Sequence, residues 1–219
     1  MNPHMKTPVT FLGDMSGEAE VAVVLLHGRR QTEEDTFRVG ERIGLDNVLY
    51  ALPSAQERTW YPHGFMAALE DNQPWLNYGL ETLAATVAAL EERGFSRHKI
   101  VFMGFSQGAC LAAEFVYRNP DRWGGLVAFT GGLFGPKGMI WEGAGSFDEM
   151  PVFLGTSDVD SWVPLERVRD SAEVFINMGA SVDMRVYPGM EHKVNRDELE
   201  AARAMLSKML VQETAVECA

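Results

Sequence analysis

Short apolar runs alternate along this chain with segments whose apolar residues recur at helical spacing. Residues 21–26 are apolar throughout, the pattern of a parallel strand buried on both faces. Residues 9–12 predict a short edge strand, and 47–52 a further strand stopped by Pro53. The runs 100–103, 125–130, 151–155 and 182–187 predict the remaining strands. A helix is expected from Thr32 or Glu33 to about Arg42. Leu80, Leu83, Ala84, Val87 and Leu90 mark a second, ended by Gly94. The Ala- and Leu-rich run 109–116 predicts a third. Leu165, Val168, Ala172, Phe175 and Ile176 mark the next, and Leu199, Ala202, Leu206, Met209 and Leu210 the last. Strands alternating with helices imply an α/β fold: a mostly parallel central sheet flanked by helices on both faces. Residues 54–76 are left as a long connection, of the kind that usually carries function.

Composition narrows this little. The 219 residues suit one domain spanning 1–219. A hydrophobic share of 46% and a mean hydropathy of −0.11 fit a globule with a sizeable core. A net charge of −12 argues against a nucleic-acid partner or an anionic membrane surface. No secretory leader and no membrane span are recognisable, and the two cysteines form no pairing pattern. Cys110 reads as a small core residue and Cys218 as part of a polar tail, so a cytoplasmic location is expected.

The chemistry concentrates between a strand and a helix, in Gly104-Phe105-Ser106-Gln107-Gly108. A Gly-x-Ser-x-Gly pentapeptide in that context forms a sharp turn that lifts the serine hydroxyl clear of the sheet. The two glycines let strand and helix approach, and the helix that follows aims free N–H groups at a developing oxyanion. A serine nucleophile needs a base, and the base needs an acid to fix its tautomer, in the chain order Ser, acid, His. His192 is the only histidine after Ser106. Asp158 and Asp160 both follow the strand at 151–155, and spacing alone does not separate them. In parallel sheets sites form at the carboxyl ends of strands, where His27, Ser106, these aspartates and His192 all fall.

With these residues on the page, the chain resembles the phospholipase/carboxylesterase family of α/β-hydrolases, which includes acyl-protein thioesterases. The resemblance is carried by Leu26-His27-Gly28, by the serine pentapeptide, by Asp160-x-x-Val163-Pro164 and by Tyr187-Pro188-Gly189-x-x-His192. It implies an α/β-hydrolase fold and a triad of Ser106, Asp160 and His192, with Asp160 chosen because the family's acid precedes Val-Pro by two residues. It also implies an oxyanion hole made by the backbone N–H groups of Arg29 and Gln107, with His27 supporting that loop. Three positions depart from the family pattern. Arg30 stands where Gly is usual, Ser161-Trp162 replaces a proline-containing pair, and Glu191 stands where Gly is usual and is expected to face solvent.

The expected function is a serine hydrolase that cleaves carboxylic esters of small or medium acyl chains through an acyl-enzyme, with a small-molecule ester substrate and no metal or cofactor. An acyl thioesterase or lysophospholipase differs only in leaving group and chain length. A non-catalytic ligand binder that kept the fold is a third reading; a metal- or thiol-dependent hydrolase lacks its motifs. Trp60, Tyr61, Phe65 and Trp162, with Trp75, are the aromatic candidates for substrate contact, Trp162 first because it lies two residues from Asp160. Trp60 and Trp75 read equally well as packing the long loop onto the sheet. Arg29, Arg30 and Arg58 are candidates for binding an anionic group or are simply solvated. An exposed apolar patch around the long loop would mark a homodimer.

Overall fold

Seven strands form one sheet in the order β1-β3-β2-β4-β5-β6-β7 in the computed structural model, which describes residues 1–214. The strands are β1 (Thr10–Gly13), β2 (Val21–Leu26), β3 (Val48–Leu52), β4 (Ile100–Phe105), β5 (Gly125–Phe129), β6 (Pro151–Thr156) and β7 (Ser181–Val186). Only β1 runs antiparallel, against β3; the other neighbours are parallel. The helices are α1 (Glu33–Ile43), α2 (Trp75–Glu91), α3 (Gln107–Arg118), α4 (Leu165–Asn177) and α5 (Arg196–Thr214). Cys218 lies outside the described residues. No described helix is long and apolar enough to cross a membrane.

The alternation of β2 explains the layers. Val21, Val23 and Leu25 pack with Ile43 of α1 and with Leu199, Ala202 and Leu206 of α5. Ala22, Val24 and Leu26 face the other way, into the layer that holds Leu83 and Val87 of α2 and Phe115 of α3. A strand covered on both faces needs apolar residues at every position, which is why its period-two signal is absent. β7 lies at the sheet edge with covering on one side, and its exposure alternates accordingly. The register aligns Leu26 with Gly104, Phe105 with Phe129, and Thr156 with Val186, so the carboxyl ends of β2 and β4 to β7 form one rim.

Element ends follow local chemistry. Thr32 caps α1 through its side chain, which accepts from the Asp35 N–H, while the Asp35 carboxylate accepts from the Thr32 N–H. Gly44, in the left-handed region, ends the helix. The long connection ends close to where it is expected, since α2 begins at Trp75, ahead of the first marked apolar position at Leu80. Asn77 and Gly79 interrupt the apolar pattern there, yet Gly79 fits because Leu111 packs directly on it. Before α2 the chain makes two short turns, Gln56–Arg58 and Leu69–Asn72.

Candidate active site

β4 passes into α3 through a single residue, Ser106, with φ 54° and ψ −118°. Such a backbone costs on the order of 1–3 kcal/mol and persists only where its surroundings impose it. A Cβ on Gly104 would lie 2.6 Å from the Gly108 carbonyl carbon, and one on Gly108 would lie 2.5 Å from the Leu26 oxygen. Only glycine at both positions permits this approach of strand, helix and neighbouring strand. The Ser106 N–H donates to the Phe129 carbonyl at 3.0 Å, and its own carbonyl accepts from Cys110 at 3.0 Å, which fixes the turn from both sides.

The Ser106 hydroxyl meets His192 Nε2 at 2.8 Å, and His192 Nδ1 meets Asp160 Oδ2 at 2.6 Å. A carboxylate only accepts, so the proton sits on Nδ1 and Nε2 is free to accept from the serine. Asp160 is fixed in turn, because its Oδ1 accepts the N–H groups of Trp162 at 2.8 Å and Val163 at 2.9 Å. Its side chain is 1% exposed, whereas the His192 ring remains 21% exposed and open to the cleft. The ring of Phe105 stands 4.9 Å from that of His192. Asp158 lies elsewhere, accepting from the Gly189 N–H at 2.7 Å and bracing the turn that delivers His192. Glu191 faces solvent and pairs with Lys193 at 3.1 Å.

The loop after β2 forms the facing wall. Gly28 N–H donates to the Gln31 side-chain oxygen at 2.8 Å, and Gln31 N–H returns to the Gly28 carbonyl at 3.1 Å. Arg30 adopts φ 68°, the left-handed conformation that glycine enters freely, and donates its N–H to the Arg58 carbonyl at 2.8 Å. Arg29 and Gln107 line the same cleft as Ser106. Gln107 is the first residue of α3, where backbone N–H groups have no intrahelical acceptor. His27 is buried beneath this loop, donating from Nδ1 to the Gly28 carbonyl at 2.8 Å and accepting at Nε2 from the Ala55 N–H at 3.0 Å. Burial holds its pKa below the ordinary histidine value, so it supports the loop in its neutral form.

Between these walls lies a cleft of about 640 Å³ that contains Ser106 and His192. Tyr61, Phe65 and Trp162 line it; Trp162 stands 74% exposed at the mouth. Trp60 does not belong to it. Its indole is fully buried, donates to the His27 carbonyl at 3.0 Å and stacks on the His27 ring at 4.9 Å. An indole whose N–H and face are both occupied in the core has nothing left for substrate. Trp75 also lies away from the cleft, beginning α2 with its ring 5.5 Å from His4. Cys110 reaches the cleft wall, yet burial pushes its thiol up to about 12, so it stays protonated at neutral pH.

Several side chains support the site in ways the sequence reading did not anticipate. The Gln107 amide accepts from the Trp60 N–H at 2.9 Å and donates to the Tyr61 carbonyl at 2.8 Å. The Arg29 guanidinium donates to the carbonyls of Tyr61, Pro62 and His63 at 2.8–3.0 Å. Arg167, buried inside the apolar stripe of α4, donates to the carbonyls of Leu133, Gly135 and Pro136. Glu114, buried in α3, accepts from the Phe134 N–H. A charge inside an apolar helical stripe was the legible hint for these last two; together they pin the Gly-rich loop that carries Phe134 against Tyr61 at 4.6 Å.

An acyl-protein thioesterase of Saccharomyces cerevisiae is 30% identical over 64% of this chain and 62% of its own length. One from Gibberella zeae is 29% identical over 54% of this chain and 52% of its own, so the chain spans roughly half to three fifths of these relatives. Among solved structures, a phospholipase/carboxylesterase from Dyadobacter fermentans is 37% identical, covers 92% of this chain and 96% of its own, and superimposes with a TM-score of 0.87. The esterase PE8 is 25% identical with a TM-score of 0.77, over 93% of this chain and all of that one. These matches share the α/β-hydrolase fold, and the sequence profile of phospholipases and carboxylesterases matches residues 13–210. The chain belongs to the phospholipase/carboxylesterase family.

Proposed function

We propose that this protein is a serine hydrolase that cleaves carboxylic esters through an acyl-enzyme, with Ser106, His192 and Asp160 as its catalytic triad. The observation that carries this reading is the unbroken chain from Asp160 through His192 to Ser106, at 2.6 and 2.8 Å. Ser106 Oγ attacks the ester carbonyl while its proton passes to His192 Nε2, and the carbonyl π electrons move onto oxygen. The backbone N–H groups of Arg29 and Gln107 receive that oxyanion; such donors are worth about 3–4 kcal/mol each. Collapse of the tetrahedral intermediate expels the alcohol oxygen, which takes the proton from His192 and leaves an ester on Ser106. A water then gives a proton to His192 Nε2 as its oxygen attacks the acyl carbon. The second collapse returns the proton to Ser106 and releases the carboxylic acid. Asp160 holds the tautomer and stabilises the imidazolium throughout.

Tyr61, Phe65 and Trp162 supply apolar surface for the substrate, and a cleft of about 640 Å³ suits small or medium acyl chains. The thioesterase names of the curated relatives favour thioesters as a second substrate class. Initial rates on 4-nitrophenyl esters of increasing acyl length, with matched thioesters beside them, test both readings. Hydrolysis that disappears in Ser106→Ala supports the mechanism, and rates equal to that variant across both series contradict it.

A further inference from the structure

The charge around the cleft is opposite to that of the molecule. The chain carries 31 acidic residues against 19 lysines and arginines. Among the described residues the cleft is lined by two arginines, Arg29 and Arg30, and by no Asp or Glu. Asp160, the carboxylate paired with His192, is buried behind its ring and held by two backbone N–H groups. In a protein this acidic, a cleft lined by two arginines and no carboxylate favours anionic ligands over neutral ones.

Of the two arginines, only one is available. Arg29 commits its guanidinium to three carbonyls of the 61–63 segment. The Arg30 side chain forms no hydrogen bond or ion pair among the described residues, and it is exposed on the cleft wall. It also holds a left-handed backbone at φ 68°, at a cost that glycine would avoid. Its position, one residue beyond the proposed oxyanion donor, brings a charge to the same wall that receives the reacting carbonyl. A guanidinium presents paired donors that match the oxygens of a carboxylate or phosphate.

We propose that Arg30 is a specificity-determining residue, and that the preferred substrates are esters bearing an anionic group in the acyl or the alcohol part. This rests on the esterase reading of Ser106 and names the substrate class of that site. It places the enzyme after a reaction that esterifies a diacid or another acidic small molecule, releasing an acidic product.

The test compares charged and neutral esters of matched size, after subtracting the enzyme-free rate. 4-Nitrophenyl hemiadipate against 4-nitrophenyl hexanoate places the charge in the acyl part. 4-Carboxyphenyl butyrate against phenyl butyrate places it in the alcohol part. For at least one pair, Arg30→Gln is expected to lower the charged-to-neutral ratio of kcat/KM by about tenfold, chiefly through KM. Arg30→Glu is expected to lower it further and Arg30→Lys to retain part of it. Arg30→Gly, which relieves the backbone, is expected to lose the preference as Arg30→Gln does, separating the charge from the loop conformation. Ratios unchanged by Arg30→Gln in both pairs, with hydrolysis still dependent on Ser106, would overturn this proposal alone. Hydrolysis that survives Ser106→Ala would overturn the esterase reading beneath it.

Discussion

Gln107 accepts the Trp60 N–H through its side chain while its own backbone N–H heads α3 beside Ser106. One residue thus joins the proposed oxyanion side of the site to the loop that carries Tyr61. Gln107→Ala leaves the backbone donor in place but strands the buried Trp60 N–H, at a cost of about 1–3 kcal/mol. The Tyr61 carbonyl keeps its bond from Arg29, so the loss falls on Trp60. A melting temperature lower by several degrees, with a fall in kcat/KM, is expected by calorimetry and ester hydrolysis.

Asp160 and Asp158 are separated by what they bond. Asp160→Asn keeps an acceptor for Trp162 and Val163 but no longer forces the His192 proton onto Nδ1. Its kcat is expected to fall by about 10²–10⁴ with folding intact. Asp158→Asn still accepts from Gly189 and should lose less than about tenfold. Paired kinetics of the two variants check the assignment, and equal losses would refute it.

The elbow tolerates no methyl group. Gly108→Ala forces a Cβ to 2.5 Å from one backbone oxygen and 2.6 Å from the next, on Leu26 and His27. Backbone atoms of a central strand do not yield cheaply. Loss of soluble folded protein, or a melting temperature lowered by more than about 5 °C, is expected.

Much of this was legible beforehand for identifiable reasons. Doubly covered strands are continuous apolar runs and glycine helix ends are local. The strands, and the position of Ser106 and His192 just past strand ends, could therefore be read from pattern, whereas Asp160 was separated from Asp158 only by the family resemblance. The first turn of α2 carried no periodic signal ahead of Leu80, because Gly79 is permitted there by a contact with Leu111 that is distant in sequence. Trp60 was misjudged for a related reason: an aromatic residue in a loop reads alike whether it lines a cleft or stacks on His27 in the core. The roles of Arg29 and Gln107 toward the 61–63 segment depend on loop-to-loop contacts that no periodicity records.

Glu198 gives the fold a pH dependence. It is fully buried in the first turn of α5, accepts from the Asn195 N–H at 2.8 Å, and leaves Oε1 without a hydrogen-bond partner among the described residues. Burial raises its carboxyl to about 7, above the unfolded value of 4.5. The folded state therefore binds more protons across that window. Its stability contribution is full below the unfolded value and is lost as pH rises through about 7. Buried His4 and His27, whose values are lowered, act in the opposite sense in any variant. Glu198→Gln stays neutral, so its melting temperature relative to the parent is expected to rise from pH 5 to pH 8. A difference that stays flat across that range would contradict the account.

The central claim is that Ser106 becomes acylated. Treatment with a fluorophosphonate, followed by peptide mass spectrometry, tests it most directly. One phosphonyl adduct on the peptide containing Ser106 is expected, growing in step with the loss of esterase activity and slowed by His192→Ala. Full activity with Ser106 fully modified, or inactivation with the adduct on another residue, would contradict it.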